Sequence, residues 1–338
     1  MSKRYAFVAV SLLVLAAIAL GACTPAATVA PTQAAQPTKP PEPTAVPEPT
    51  AVPLGSADRP IIMAIAPSAT SDELIASGDT IAQLLSEETG LTIEAVVPTN
   101  YAAMIEAMCS GNAQVGWLPP FAYLVAHQTE ASGLPCADVA FIALRNGLDH
   151  YATQYVATAE AGYSVATDPG QTEVLQQFAD KKPCWTDPFS ASGYVIPASL
   201  LAQEGIKTRT AAFVQGHPTV VRAVLAGGIC DFGATFVDAR TNSAIVADFP
   251  DINDQIVVVY QTDNIIPNDT VGFAYDLPED LRATLTAALA KIAASEDGAA
   301  AMKTLYSIDG LQETQDTFFD EFRVLLAASG IDIASLVR

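Results

Sequence analysis

The chain has 338 residues, enough for one large or two modest globular units, and a formal net charge of −21, with 50 % of its residues hydrophobic and 16 % charged. A charge of this sign makes nucleic acid and anionic lipid poor partners, because both would be repelled. A small anion remains compatible, since the first turn of a helix binds one locally whatever the net charge.

The N-terminal segment has the pattern of an export signal. Residues 1–4 carry two positive charges, and residues 6–20 form an apolar, alanine-rich run that is too short for a transmembrane helix. The run ends in small residues immediately before Cys23, which resembles the bacterial lipobox. We therefore predict that residues 1–22 are a lipoprotein signal peptide and that Cys23 is the lipidated first residue of the mature protein. An ordinary secretory signal and a plain membrane anchor are the alternatives.

A proline-rich segment follows. Ten of the 23 prolines lie between residues 24 and 60, and EPTAVP occurs twice in tandem, at 42–47 and 48–53. Such a composition cannot bury enough apolar surface to offset its chain entropy. We predict that residues 23–59 are a disordered tether that starts with the lipidated cysteine and holds the folded part away from a membrane.

Short apolar runs alternate with amphipathic runs from residue 59 onwards, which predicts alternating strands and helices. The first series consists of strand 61–67, helix 71–90, strand 91–98, helix 101–111, strand 113–120, helix 121–133 and strand 137–145. This β-α-β alternation is typical of a parallel sheet covered by helices.

A second series of the same kind begins after an extended segment, 150–160, that leads out of the first unit. Its elements are strand 181–188, helix 194–205, strand 209–216, helix 218–228 and strand 230–237. Residues 254–267 are long enough to cross back, and helices at 281–295 and 317–330 would then pack on the first unit.

The predicted fold class is therefore α/β, with two mostly parallel sheets joined by two crossing strands. Lobe 1 would comprise residues 60–153 and lobe 2 residues 154–261, and residues 262–338 would return to lobe 1 and end in helices. Open parallel sheets bind ligands beyond the carboxyl ends of their strands, so two facing sheets predict a ligand cleft between them.

Setting Cys23 aside leaves Cys109, Cys136, Cys184 and Cys230. An even number in an exported chain predicts disulfides, and four cysteines allow three pairings. Cys109–Cys136 with Cys184–Cys230 is favoured, because each bridge then stays within one lobe. A metal site is not expected, since no C-x-x-C spacing exists and the three histidines are scattered.

The stretch DPFSASGY (187–194) places two serines and a glycine where a strand is followed by a helix. Pro197 is tolerated only near a first turn, so the helix should start around Ser192 or Gly193. The free N–H groups of that turn and the hydroxyls of Ser190 and Ser192 would bind a tetrahedral oxyanion, helped by the helix dipole. Gly193 would let the ligand approach the backbone closely. Plain N-capping by serine is the alternative.

The pattern D-P-x-S-x-S-G-Y-x-x-P at 187–197 is similar to the signature of substrate-binding proteins of phosphonate, phosphite and phosphate-type ABC importers. Further motifs of this family recur in the same order: Asn100-Tyr101-Ala102-Ala103, VGWLPP at 115–120, Gly216-His217 and Ile266-Pro267-Asn268-Asp269. The resemblance spans about residues 60 to 325 and implies the two-lobed type II periplasmic-binding-protein fold.

The resemblance also implies that the two lobes hold a phosphoryl group between them. From lobe 1, the Tyr101 hydroxyl would donate to a phosphoryl oxygen. From lobe 2, the hydroxyls of Ser190 and Ser192 and the backbone of Ala191 and Gly193 would bind the oxyanion. Ala191 departs from the family pattern, in which this position is often threonine, so one hydroxyl is lost.

Three more positions take roles from the resemblance. His217 would add a donor and, as imidazolium, a compensating charge. Asp238 and Asp269 match carboxylate positions of aminoethylphosphonate binders, where two acids would meet a substrate ammonium. Alternatively, Asp269 would accept a hydrogen bond from a protonated phosphoryl oxygen and so select protonated oxyanions over sulfate or sulfonate. The alternatives assign these residues no role in binding: His217 would be a surface histidine that caps the helix begun at Pro218, and each acid would occupy a solvated loop position.

The predicted function is that of a solute receptor, not an enzyme, which closes on a phosphonate and delivers it to an ABC permease with its ATPase. A 2-aminoethylphosphonate-like ligand ranks first, then phosphite or phosphate, then a sulfonate. We expect an exported monomer in the periplasm or on the outer face of the cell membrane, held there only by its N-terminal lipid and without a cofactor. A hydrolase built on Ser192, His217 and an aspartate is the alternative of a different class, although SASGY is not the G-x-S-x-G elbow. A receptor read by a membrane sensor is a third possibility.

Overall fold

The computed structural model describes residues 52–68, 72–128 and 135–330, and the lipidation predicted at Cys23 lies outside them. The strands are β1 (Ile61–Ile65), β2 (Ile93–Val96), β3 (Val115–Leu118), β4 (Ala137–Leu144), β5 (His150–Tyr151), β6 (Thr153–Thr158), β7 (Pro183–Trp185), β8 (Ala212–Phe213), β9 (Phe232–Phe236), β10 (Ile256–Gln261), β11 (Ile266–Pro267), β12 (Thr270–Ala274) and β13 (Gly310–Glu313). The α-helices are α1 (Asp72–Thr89), α2 (Tyr101–Cys109), α3 (Pro120–Gln128), α4 (Ile196–Gln203), α5 (His217–Ala226), α6 (Ser243–Asp248), α7 (Ile252–Gln255), α8 (Glu279–Ala293), α9 (Glu296–Tyr306) and α10 (Asp320–Ala328). Within the described residues, none of these helices is long and apolar enough to cross a membrane.

Six strands form the sheet of the first lobe, in the spatial order β13-β4-β12-β3-β1-β2. Helices α1, α8 and α9 pack on one face, and α2, α3 and α10 on the other. Because both faces are covered, the central strands are almost continuously apolar, and every residue of β12 is buried.

Five strands form the sheet of the second lobe, in the order β10-β6-β9-β7-β8. β7 pairs in parallel with β8 and β9, while β6 runs antiparallel to β9 and β10. The chain crosses between the lobes twice, and the two crossings pair with each other as the antiparallel strands β5 and β11. The α/β class and the two-lobed arrangement are therefore confirmed.

Most strands of each sheet run in the same direction, as predicted, but both sheets also contain antiparallel strands. In the first sheet β1 is parallel to β2 and β3, but β12 runs antiparallel to β3 and β4. Three strands break the pattern: β6 and β12, which are the first to join a sheet after each crossing, and β13, which pairs antiparallel with β4. A chain that arrives from the cleft enters at the carboxyl ends of the β-α-β strands, so it must run against them.

Sequence reasoning missed α9, β12 and β13. The hydroxyl of Ser295 caps α9 by accepting the Gly298 N–H at 3.1 Å, and two acidic residues occupy its first turn. These capping signals are clear, but only three residues of the helix are large and apolar: Met302, Leu305 and Tyr306. The omission matters because Tyr306, its last residue, lies in the wall of the cleft.

Residues 54–59 pack against the first lobe, although the sequence assigned them to the tether. The Thr92 N–H donates to the Gly55 carbonyl at 2.7 Å, and the Leu54 side chain contacts the core beneath the first sheet. The packed part of the chain therefore begins before residue 60.

Two disulfides, Cys109–Cys136 and Cys184–Cys230, connect the cysteines in the predicted pairing. The first joins the end of α2 to the residue before β4. The second joins β7 to the segment before β9. Each bridge stays within one lobe, so neither restricts movement of one lobe against the other.

Replacing Cys184 and Cys230 together by serine should lower the free energy of unfolding by about 3 to 4 kcal/mol. The bridge spans 46 residues and restricts the unfolded chain accordingly. Urea unfolding of the oxidised proteins measures the loss, and the corresponding Cys109 and Cys136 variant, with a span of 27 residues, should lose slightly less. An unchanged midpoint would show that the bridge contributes nothing in solution.

Candidate functional site

A cavity of about 440 Å³, within the size range of small-molecule sites, lies between the two lobes. Five of the predicted ligand-binding residues line it: Tyr101, Ser190, His217, Asp238 and Asp269. The other three, Ala191, Ser192 and Gly193, lie behind Ser190 in a buried π-helical turn. The wall also contains polar residues that sequence reasoning missed: Ser68, Arg145, Tyr151 and Tyr306.

The lobes are closed over this cavity. The His217 N–H of the second lobe donates to the Ser68 carbonyl of the first at 3.2 Å. The rings of Phe121 and Phe189 stack across the same boundary with their centroids 6.4 Å apart. Such contacts form only when the lobes meet, so the structure is that of the closed form.

Asp187, the first residue of DPFSASGY, also joins the lobes. Its carboxylate accepts the Phe189 N–H at 2.8 Å within the loop and the backbone N–H of Tyr101 in the other lobe. Burial raises the pKa of Asp187, and these hydrogen bonds partly offset the rise. Because Tyr101 begins α2, the carboxylate also meets the positive end of a helix dipole. Sequence reasoning assigned this residue no role.

Tyr101 is placed by the start of α2, where the Asn100 side chain caps the helix by accepting the Ala103 N–H at 2.8 Å. The Tyr101 side chain is buried, and its hydroxyl lies 2.9 Å from Ser68 Oγ. Burial raises the pKa of Tyr101 above its usual value. The hydroxyl therefore stays protonated and is able to donate to an acceptor in the cavity.

Ser190 combines both interpretations of the serine loop. Its Oγ accepts the Gly193 N–H at 3.1 Å, which is N-capping, and the residue also lines the cavity. A hydroxyl that accepts through a lone pair keeps its hydrogen. Ser190 is therefore able to cap the turn and donate to an anion at the same time.

Ser192 and Gly193 act from behind the wall. The Ser192 hydroxyl is hydrogen-bonded to the hydroxyl of Tyr151, which does line the cavity. A Cβ added at Gly193 would lie 1.9 Å from Thr186 Oγ1. Glycine is needed here for packing against Thr186, which is a second reason for a glycine at this position, while the close approach of a ligand to Gly193 stays a prediction. Ser192 therefore positions Tyr151.

His217 begins α5 and is buried. Its Nδ1 accepts the Phe236 N–H at 3.1 Å. Burial, aided by the positive charge of Arg145, lowers the pKa of His217 to about 3. The ring is therefore neutral near pH 7, with its proton on Nε2. It offers a donor, but not the imidazolium charge that the sequence led us to expect.

Asp269 forms a salt bridge with Arg145, the residue that follows β4. The guanidinium also donates from Nη1 to Asn268 Oδ1 at 3.1 Å and from Nε to the Tyr306 carbonyl at 2.8 Å. The three acceptors of the guanidinium come from the return crossing and from α9. Fixed by Asn268 and the Tyr306 carbonyl, the guanidinium holds the carboxylate of Asp269 in place and neutralises its charge.

Asp238 has a cation of its own, Arg240. Arg240 Nη2 lies 2.6 Å from Asp238 Oδ2, and Gln154 Nε2 donates to Oδ1 at 2.8 Å. Burial acts to raise the pKa of Asp238, but the hydrogen bonds from Arg240 and Gln154 outweigh it, so the pKa lies below its usual value. Asp238 is thus ionised and paired instead of being a freely solvated loop acid.

The charges on the cavity wall balance. Arg145 and Lys303 oppose Asp238 and Asp269 there. The wall therefore carries no excess negative charge, although the chain as a whole has a formal charge of −21. An anion is able to bind without meeting the repulsion that the composition suggests.

Two other chemistries do not fit this site. A serine nucleophile needs a histidine within hydrogen-bond reach as its base, but the Ser192 hydroxyl bonds to Tyr151 and His217 Nδ1 accepts from Phe236. Within residues 52–68, 72–128 and 135–330, no group of three histidine, cysteine, aspartate or glutamate side chains is arranged to hold a metal ion.

One of the missed wall residues carried a usable signal. Arg145 is the last residue of ADVAFIALR and so follows the carboxyl end of a strand, where α/β sheets bind ligands. Ser68, Tyr151 and Tyr306 carried none, because nothing in their neighbouring sequence distinguishes them from ordinary loop, strand or helix residues.

Comparison with known proteins agrees with this geometry. The family described as "ABC transporter, phosphonate, periplasmic substrate-binding protein" matches residues 63–319. The phosphate-import protein PhnD of Mycolicibacterium smegmatis is 31 % identical over 228 residues, which cover 63 % of this chain and 67 % of that protein.

Solved structures share the fold. PhnD1 from Prochlorococcus marinus in complex with methylphosphonate has a TM-score of 0.69 at 14 % identity, covering 80 % of this chain and 98 % of that one. The binding protein component of an ABC phosphonate transporter from Pseudomonas aeruginosa has a TM-score of 0.68 at 17 % identity, covering 80 % and 86 %. The chain therefore belongs to the periplasmic substrate-binding proteins of phosphonate-type ABC transporters, which carry solutes and are not enzymes.

Proposed function

We propose that this protein binds a small phosphorus oxyanion, such as phosphate, phosphite or a simple alkylphosphonate, and delivers it to an ABC permease with its ATPase. The observation that carries the proposal is a set of uncharged donors from both lobes around a cavity whose two carboxylates are each paired with an arginine. The donors are the hydroxyls of Tyr101, Tyr151 and Ser190 and the Nε2 of His217. Hydrogen bonds to an ionised oxygen are the strong ones, so such a set suits a tetrahedral oxyanion.

The pairing argues against an aminoalkylphosphonate, the ligand ranked first from the sequence. Asp238 is held by Arg240 and Asp269 by Arg145. A substrate ammonium would meet carboxylates whose charge an arginine already offsets, so it would gain much less there than from a free acid. The relatives agree with a simpler ligand, since one is named a phosphate-import protein and another is in complex with methylphosphonate.

Ligand capture works by closure. Tyr101 belongs to the first lobe, and Ser190 and His217 to the second. A ligand touches all three only when the lobes meet, so its extra affinity for the closed form shifts the population towards that form. The permease would then recognise the closed protein as loaded.

The protein acts outside the cytoplasm, as its family does. In our proposal residues 1–22 are removed as a signal peptide, Cys23 carries the lipid, and a tether follows it. The folded part works as a monomer with one lobe at 60–153, on which residues 54–59 also pack, the other lobe at 154–261 and the return at 262–338. The composition of residues 24–60, with ten prolines, supports the tether.

Calorimetric titration with phosphate, phosphite, methylphosphonate, 2-aminoethylphosphonate and taurine tests this function. The first three should bind, and the last two should bind much more weakly. Tyr101→Phe keeps the buried ring but removes one donor, so it should weaken phosphate binding by about tenfold or more. Tyr275→Phe, at an exposed tyrosine, is the matched control and should bind normally. If none of the three phosphorus oxyanions binds, the proposed function is wrong.

A further inference from the structure

Arg145 holds Asp269 on the wall of the cavity. A guanidinium has five N–H hydrogens, and Arg145 donates three of them, to Asp269, Asn268 and the Tyr306 carbonyl. The other two have no acceptor among the described residues. Arg145 thus neutralises an acid and still has donors for a ligand.

We propose that Arg145 determines the charge of the oxyanion that the cleft accepts, because its pairing with Asp269 allows a doubly negative ligand to bind. This inference rests on the proposed function. An unpaired aspartate beside the ligand would accept a hydrogen bond from a protonated oxygen and repel a deprotonated one, so it would select singly charged ligands. The Arg145–Asp269 pair carries no net charge, and the remaining guanidinium hydrogens favour a further negative oxygen.

Most ionisable groups around the Arg145–Asp269 pair do not change their protonation state near neutral pH. Burial holds one set of ring groups uncharged, raising the pKa of each tyrosine and lowering that of the histidine: Tyr101, Tyr151, Tyr306 and His217. On the opposite lobe Asp238 stays ionised, because hydrogen bonds from Arg240 and Gln154 outweigh its burial and lower its pKa.

Two other pairs of ionisable groups lie close by. The hydrogen bond from Lys303 lowers the pKa of Asp309, which also feels the charge of Arg145. His150 lines the cavity and lies 2.7 Å from the carboxylate of Asp149. Phosphate titrations as a function of pH are therefore also performed with the His150→Gln variant, which lacks this ring.

The test is the pH dependence of phosphate affinity, since phosphate groups lose their second proton close to neutral pH. Calorimetric titrations would run from about pH 5.5 to about pH 8.5. In the original protein the affinity should hold or rise with pH. In Arg145→Gln it should fall by about tenfold per pH unit on the alkaline side, because only the singly charged form still binds. The double variant Arg145→Gln with Asp269→Asn has neither charge, so it should regain the original pH profile at a lower affinity.

The outcomes distinguish failure of the inference about Arg145 from failure of the proposed function. If Arg145→Gln binds phosphate with the original pH profile, the inference is overturned and the proposed function stands. If the original protein binds neither phosphate, phosphite nor methylphosphonate, the proposed function fails and the inference falls with it. Should Arg145→Gln not fold, Asp269→Asn alone leaves Arg145 unpaired and should increase the preference for the doubly charged form; a profile equal to the original would then overturn the inference.

Discussion

Replacing Gly193 by alanine should disrupt the serine loop and abolish most ligand binding. The new Cβ would lie 1.9 Å from Thr186 Oγ1 and 2.6 Å from Thr186 Cγ2. Both residues are buried, so relief requires a shift of the turn that places Ser190 and Ser192. Overpacking costs about 1 to 3 kcal/mol and sometimes more, which corresponds to a fall of several degrees in Tm. Calorimetric melting and phosphate titration measure the two effects.

A double-mutant cycle isolates the steric clash between the added methyl group and Thr186. Thr186→Gly removes all three Thr186 atoms that the new methyl would meet. Combined with Gly193→Ala, it should recover stability relative to Gly193→Ala alone, because the two changes share one contact. Gly310→Ala is the matched control, since a methyl there would meet only Leu144 Cδ1, at 4.0 Å. Normal phosphate binding by Gly193→Ala would refute the packing argument.

Acidification from about pH 6.5 to about pH 4 should destabilise the protein through His217. The pKa of His217 is lowered from 6.5 to about 3 in the folded protein, chiefly by burial. Between these values the unfolded chain binds a proton that the folded protein does not. Stability therefore rises with pH across this window and is lost on acidification, by up to about 1.4 kcal/mol per pH unit. At more acidic pH, paired carboxylates such as Asp238 add to the loss, because their pKa is lowered in the folded protein and the unfolded chain takes up protons first.

The variant His217→Gln separates the histidine from those carboxylates. Glutamine retains an oxygen that is able to accept the Phe236 N–H but does not titrate. The free energy of unfolding of His217→Gln, measured with urea at several pH values, should change less between about pH 6.5 and about pH 4 than that of the original protein. His127→Gln, at a partly exposed histidine, serves as the comparison. An equally steep loss in His217→Gln and in the original protein would show that another group is responsible.

Much of the fold was predictable because its signals are local. Alternating apolar and amphipathic runs predicted the α/β class, the two lobes and their crossings. The direction of β12 was not predictable in this way, because it depends on which side of the sheet the chain enters after crossing. Helix α9 was missed, although its Ser295 cap is a local signal, because few of its residues are large and apolar and its stability depends on the packing of Met302 and Leu305 against the first sheet.

The structure brings five of the predicted ligand-binding residues to one cavity, and their role in binding stays a prediction. Tyr101, Ser190, His217, Asp238 and Asp269 all lie on the cavity wall. The sequence could not reveal which of them are charged or paired. Asp269 meets Arg145 from 124 positions away, and that distance in sequence hides the pair from any motif.

Short-range patterns in the chain were therefore sufficient to predict the α/β class, the two-lobed architecture and a cleft between the lobes, while the resemblance of its motifs to a known family indicated the class of protein. Folding then determined that His217 is neutral, that each acid has an arginine and that Gly193 serves packing. The reason is physical: hydrophobic periodicity and turn chemistry act between neighbours along the chain, whereas burial and ion pairing act between residues that only the folded chain brings together.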